Sequence, residues 1–362
     1  MSESYNSEFN PTGIEGGVDT NDLPWMELSQ IPGLAVKPLR ASLESGMFSL
    51  VVKVAAGTRL TNLVHLGAMD MLVLSGSMTY SGVPLSITVE PGIWGYLPAN
   101  TRIDQIEASE ACEFLGNFYG PVLVSGDRPG EVASVLTALD ICQLARDAGI
   151  TLIPNTLAEC MQPRPDTPRA EAEPLAIAGS DSAQLVEANA TNVVNIESWL
   201  PHFVDTRAIE WIENPDLGDI ALKILRVSEE TGITSLIVRH NGVAGPHYHL
   251  GAADFLVLKG HIGYRAGPPE GYGPGVWFFE PAGARHEATQ RVSDDEDLIY
   301  TANVYGPVQF DEGPGTPIVA VQSWMQYRAL AEAYNIKLVT NTFPGDTSLL
   351  AWAPIGSNSV TQ

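Results

Sequence analysis

Three histidines and an acid carry the chemistry this sequence is expected to do. His247 and His249 stand one residue apart in Pro246-His247-Tyr248-His249-Leu250-Gly251, and Asp254 follows five positions after His249. In an extended segment, residues two apart point to the same side, so both imidazoles would face one way. A third imidazole, His286, closes the run Gly275-Val276-Trp277-Phe278-Phe279-Glu280-Pro281-Ala282-Gly283-Ala284-Arg285-His286. Imidazoles converging on one face of a sheet are a common protein supply for a divalent transition metal. His202, His240 and His261 have no such spacing and read as surface or internally satisfied histidines.

The elements that must position these residues occur twice. Asp19-Thr20 followed by Trp25 is echoed by Asp205-Thr206 followed by Trp211, an offset of 186 residues. Lys37, Leu39 and Arg40 recur as Lys223, Leu225 and Arg226, and Asn117-Phe118-Tyr119-Gly120-Pro121-Val122 as Asn303-Val304-Tyr305-Gly306-Pro307-Val308. A constant offset over more than a hundred residues marks a duplicated domain. Short alternating or apolar runs dominate each copy, such as Phe48–Val54 and Phe255–Leu258, with Gly, Pro, Asn or Ser between them. That pattern predicts an antiparallel sandwich or barrel. One amphipathic helix should close each copy, over Val135 to about Ala148 and Val321 to about Tyr334. The domain reading is a disordered tail at 1–18, a first copy at 19–160, and a Pro/Ala/Glu-rich linker at 161–196. A second copy at 197–345 and a tail at 346–362 complete it.

Composition narrows the partners. A net charge of −24 leaves nothing to neutralise phosphates, which argues against a nucleic acid or an anionic membrane surface. Three scattered cysteines give no disulfide framework and no metal-type spacing. The first residues show no basic-then-apolar signal segment, and no apolar run approaches the ~18 residues of a membrane helix. The expectation is a cytoplasmic protein, either a monomer with two internal copies or a homodimer.

The two histidine segments resemble the paired motifs of the cupin superfamily. The second motif is followed closely, by Gly275, Pro281, Gly283 and His286, with Gln290 in place of Asn. The first departs from it: Gly242 is one residue too near His247, Asp254 replaces Glu, and Gly260 comes one residue early. The resemblance covers about 19–160 and 200–345. It implies an all-β fold of two tandem cupin barrels (jelly rolls, or double-stranded β-helices), each followed by a short C-terminal helix. The leader Asn21-Asp22-Leu23-Pro24-Trp25 with Gly33-Leu34-Ala35-Val36-Lys37-Pro38-Leu39 is similar to the ChrR-like branch. That branch includes acetylacetone- and 2,4'-dihydroxyacetophenone-type dioxygenases, which split a carbon–carbon bond with mononuclear non-haem iron and dioxygen.

What the resemblance implies for this chain is a site in the second copy. His247, His249, His286 and Asp254 would hold one divalent metal, iron(II) first, with zinc, manganese or nickel as other occupants. Asp254 would either coordinate or orient a ring from behind. Aligned with the second copy, the first offers Leu63, His65, Asp70 and Ile103 at the same places, and aliphatic side chains have no lone pair to give. A one-residue slip bringing in Asp104 would be the only rescue. Arg239, Tyr248 and Tyr264 are candidate pocket residues, Arg239 as an anchor for an enolate, with Trp277, Tyr300 and Tyr305 as further aromatics of packing type. The partners implied are a small-molecule substrate and dioxygen. Metal-dependent isomerisation, hydrolysis or decarboxylation is the alternative, because cupins host all of these, and a non-enzymatic metal or ligand sensor is a third reading.

Overall fold

The computed structural model describes residues 17–342 apart from 83–84, 127, 129–130, 161–170, 179–181, 195–200, 214–217, 265–266, 287 and 314. The sequence readings for 1–16 and 343–362 lie outside the described residues. The chain is all-β in two antiparallel barrels: the first pairs a seven-stranded with a six-stranded sheet, and in the second a seven-stranded sheet faces a three-stranded and a four-stranded one.

Alternation along each strand decides which core it serves. In the Ala253–Lys259 strand, Phe255 and Val257 enter the interior of the second barrel, while Leu256 and Leu258 join a separate core shared by the two barrels. Phe278 and Trp277 divide in the same way, and in the first barrel Val52 and Val73 face inward while Val51 and Leu72 face the shared core. Both faces of these strands are therefore apolar, which explains runs that read as continuous rather than alternating.

Each barrel completes the other's long sheet. Gly17–Asp19 pairs with Val276–Glu280 of the second copy, while Phe203–Asp205, the equivalent leader of the second copy, pairs with Ile93–Leu97 of the first. The exchange is anchored identically on both sides. Thr20 donates from its amide (3.0 Å) and hydroxyl (2.7 Å) to the Gly275 carbonyl, and Thr206 does so to Gly92 at 3.0 and 2.8 Å. Gly275 and Gly92 have φ of 91° and 92°, a conformation that side chains resist. The buried Lys37 and Lys223 donate to the carbonyls of Thr20 (2.8 Å) and Thr206 (2.9 Å), fixing the leaders from beneath.

Three boundaries shift. Gly17 and Val18 belong to a strand rather than to a tail. Within 161–196, Leu175, Ile177, Leu185 and Val186 are buried in the shared core, so the composition of a tether conceals a packed strap. The helices are shorter than periodicity suggested, at Ala138–Asp147 and Trp324–Ala333, because Thr137 with Asp140 and Ser323 with Gln326 form capping boxes that set their starts. Val135 and Leu136 lie in the strand before the first helix, and Val321 in the strand before the second. Among the described residues, no helix is long and apolar enough to cross a membrane.

At the centre of the shared core lie Asp70 and Asp254, both buried. Asn303 Nδ2 reaches Asp70 Oδ1, Asp70 Oδ2 and Asp254 Oδ1 at 3.4 Å each. Tyr119 donates to Asp70 (2.6 Å), as does Asn117 (3.0 Å), and Tyr305 donates to Asp254. Arg40 lies over the Phe279 ring at 3.8 Å and Arg226 over Tyr96 at 3.7 Å, each arginine on a ring of the other copy. Burial, and then the charge of Asp70, push the Asp254 carboxyl up to about 7, and burial raises Asp70 too. A folded acid that holds its proton above the unfolded value near 4 contributes stability below that value, and loses it as pH rises through about 7. Between pH 6 and pH 8 the wild type should lose about 1 kcal/mol of stability that Asp254→Asn does not lose. Denaturant titrations of the two proteins at several pH values would check this, and parallel curves would refute it.

Candidate metal centre

The site is assembled inside the second barrel on the short strand His247–His249. This strand lies between Arg285–His286 and Val308–Asp311. His247 and His249 are both buried, with ring centroids 5.0 Å apart, and the position directly across from His247 is residue 286. Residues directly opposite in an antiparallel pair share a face, which puts all three histidine positions on one side of the sheet.

The tautomer of His247 follows from its neighbour. Its Nδ1 lies 2.7 Å from the Gly245 carbonyl, which can only accept, so Nδ1 carries a hydrogen and the lone pair of the neutral ring is on Nε2. His249 Nε2 meets Glu280 Oε2 at 2.7 Å, and the other oxygen of Glu280 accepts from the Tyr264 hydroxyl at 3.0 Å. Burial and the adjacent Glu280 carboxylate hold the Tyr264 hydroxyl well above its ordinary range, so it stays a donor. Phe310 packs 5.1 Å from His247, and Phe255 stacks on Phe278 at 4.6 Å, closing the wall.

Asp254 is not part of this arrangement. Position 254 has the parity of Leu256 and Leu258, so its carboxylate faces the shared core, on the far side of the sheet from the histidines. The interior position on that strand is Ala253, whose register partner is Glu280. The acid at this site therefore comes from the neighbouring strand. Glu280 escaped the sequence reading, although Phe278 two residues before it marks the inward face. Its counterpart in the first copy, Leu97, is apolar like Leu63 and Ile103.

The other candidates divide. Tyr264 is brought to the site through Glu280. Arg239 has the parity of Ile237 rather than of Val238, and it pairs with Glu213 and lies 5.0 Å from the Trp211 ring centre, outside the barrel. Tyr248, between two inward histidines, faces the other way and stands over Arg285 at 5.4 Å, where Arg285 pairs with the buried Asp311 at 2.9 Å. Trp277 belongs to the shared core, and Tyr305 holds Asp254. His240 is satisfied by the Tyr300 hydroxyl (3.1 Å) and the Ala244 amide (3.3 Å), and His261 faces Glu296 at the surface. In the first barrel, Ile103 pairs with Leu63, so the register leaves Asp104 on the exposed face and no slip brings it in.

The donor set fits a divalent transition metal: two buried imidazoles, one with its Nδ1 turned to a carbonyl, and a carboxylate against a ring nitrogen. Among the described side chains, no group of three or more His, Cys, Asp or Glu already stands in ligating geometry.

Residues 15–123 and 201–306 match the family model described as the ChrR cupin-like domain. A search of curated proteins gave no match. Among solved structures, the chain is similar to a candidate dioxygenase from Nostoc punctiforme, with 11% identity over 85% of each chain and a TM-score of 0.49. It is also similar to a candidate acetylacetone dioxygenase from Methylibium petroleiphilum, with 27% identity over 35% of this chain and 90% of that one, at a TM-score of 0.31. A mutant oxalate decarboxylase from Bacillus subtilis gives 14% identity over 90% and 86% of the two chains, at 0.45. At these scores none of the three bears on the substrate.

Glu280→Gln should weaken divalent-metal binding by about 10–100-fold, while Asp254→Asn leaves it unchanged. Chelator-competition titrations on the three proteins would measure this, and the reverse ranking would restore Asp254 to the site.

Proposed function

We propose, for a chain that belongs to the ChrR cupin-like family, a mononuclear metal dioxygenase that splits a carbon–carbon bond of a small diketone or hydroxyketone in the C-terminal barrel. The observation that carries this reading is the pair His247–His249 facing position 286, with Glu280 against His249, inside a closed aromatic wall. His247, His249 and His286 would hold the metal, with Glu280 beside them, and iron(II) is the metal we assign. When bound, it supplies Lewis acidity and one-electron chemistry with dioxygen.

The chain's own residues do the rest. The Gly245 carbonyl fixes the His247 ring so that Nε2 is the nitrogen offered. Tyr264 holds one oxygen of Glu280 and His249 meets the other, so a proton taken up by Glu280 enters at Oε2 in place of the His249 contact. A 1,3-diketone or hydroxyketone gives up such a proton when it binds as its enolate, and Glu280 is the carboxylate at hand. Phe255, Phe278 and Phe310 keep bulk water from the reacting carbon.

Iron-reconstituted protein should consume oxygen with a dicarbonyl or hydroxyketone. His247→Ala should abolish both metal retention and turnover, and His65→Ala should leave both unchanged. An oxygen electrode and metal analysis give the readouts. Turnover under strict anoxia would replace this reading with metal-dependent isomerisation, hydrolysis or decarboxylation, and equal metal loss in both variants would overturn the single site.

A further inference from the structure

The first barrel lacks the second barrel's donors but is not filled solid. A cavity of about 50 Å³ lies in its interior, walled by aliphatic side chains, Phe114, Phe118 and two methionines, Met69 and Met78. One imidazole enters it. His65 lines the cavity, is 6% exposed, and stacks on Phe118 at 6.1 Å. No side-chain hydrogen bond joins its ring to any described residue. Tyr80, which also lines the cavity, directs its hydroxyl to Met71 Sδ at 3.4 Å.

A buried imidazole without a partner costs free energy unless something in the cavity meets it. The walls exclude a charged visitor, which would lose its hydration against aliphatic carbon. They suit a few-atom molecule whose carbon is apolar and which carries one oxygen for the imidazole. Methionine walls adapt to irregular contents at low cost. Burial holds the His65 imidazolium down, to about 4, so at neutral pH the ring is uncharged and can donate or accept one hydrogen bond.

We infer that the N-terminal barrel is a binding site for an uncharged short-chain alcohol or ketone, held by one hydrogen bond to His65 within the apolar cavity. This site is separate from the proposed metal centre and does not depend on it.

The test uses the full chain carrying His247→Ala, so that the C-terminal barrel cannot answer for the first, with histidine ring nitrogens labelled for NMR. Titration with 2-propanol and with acetone should produce a saturable shift of the His65 ring nitrogens, with propionate producing none. His65→Leu, whose fold is checked by its unfolding midpoint, should weaken binding of the better probe by about 10-fold, read from shifts of labelled Met69 and Met78 methyl groups. Absence of a saturable shift with either neutral probe would overturn the proposal. So would propionate binding as tightly as 2-propanol, or undiminished binding to His65→Leu, which would leave an apolar void without a recognised ligand.

Discussion

Everything in this molecule depends on how two carboxyl groups are kept inside it. Asp70 and Asp254 sit where the two barrels meet, where burial raises both carboxyls, and they are held by a shared amide from Asn303, two tyrosine hydroxyls and two arginines that reach across from opposite copies. Removing one partner from such a cluster leaves a buried polar group unsatisfied, which costs more than a missing methyl group. The same economy holds at Lys37 and Lys223, whose ammonium groups are spent on backbone carbonyls of the exchanged leaders. These polar contacts fix the orientation of the outer strand faces, and so fix which residues are left to face inward.

That division explains why the site was only partly legible in the sequence. The duplication and the strand-rich pattern could be read directly, and the proposal of one site in the second barrel rests on Leu63 and Ile103 standing where His247 and His286 do. The carboxylate could not. Asp254 occupies the motif's place, but a period of two turns it away from the histidines, and both faces of its strand are apolar, so hydrophobicity gave no clue to parity. Glu280 sits in an aromatic run in which only Phe278, two residues earlier, marks the inward face. Arg239 and Tyr248 were misplaced for the same reason, each one residue off the inward set. The strap around Leu175 to Val186 was hidden by its composition, since the few apolar residues that anchor it are diluted by Pro, Ala and Glu.

The two interiors show how little is needed to change what a barrel holds. Three positions, Leu63, Leu97 and Ile103, replace two imidazoles and a carboxylate with aliphatic carbon, while the surrounding strands keep their pairing. His65 keeps the place of His249 but has no Glu280 to face. Chemistry in this fold is carried by a handful of inward side chains, and the scaffold is indifferent to their loss.

The crossed leader strands make that divergence affordable. In an assembly of two identical chains, every substitution inside one barrel appears in the other, so a polar interior and an oily one could never sit side by side. Joining the copies on one chain breaks that symmetry and keeps the swap intramolecular, so it persists at any dilution. Neither half can depart without baring the Ile93–Leu97 or Val276–Glu280 edge to other chains. The exchange thus holds the halves as inseparable twins on the outside and leaves them free to become strangers within.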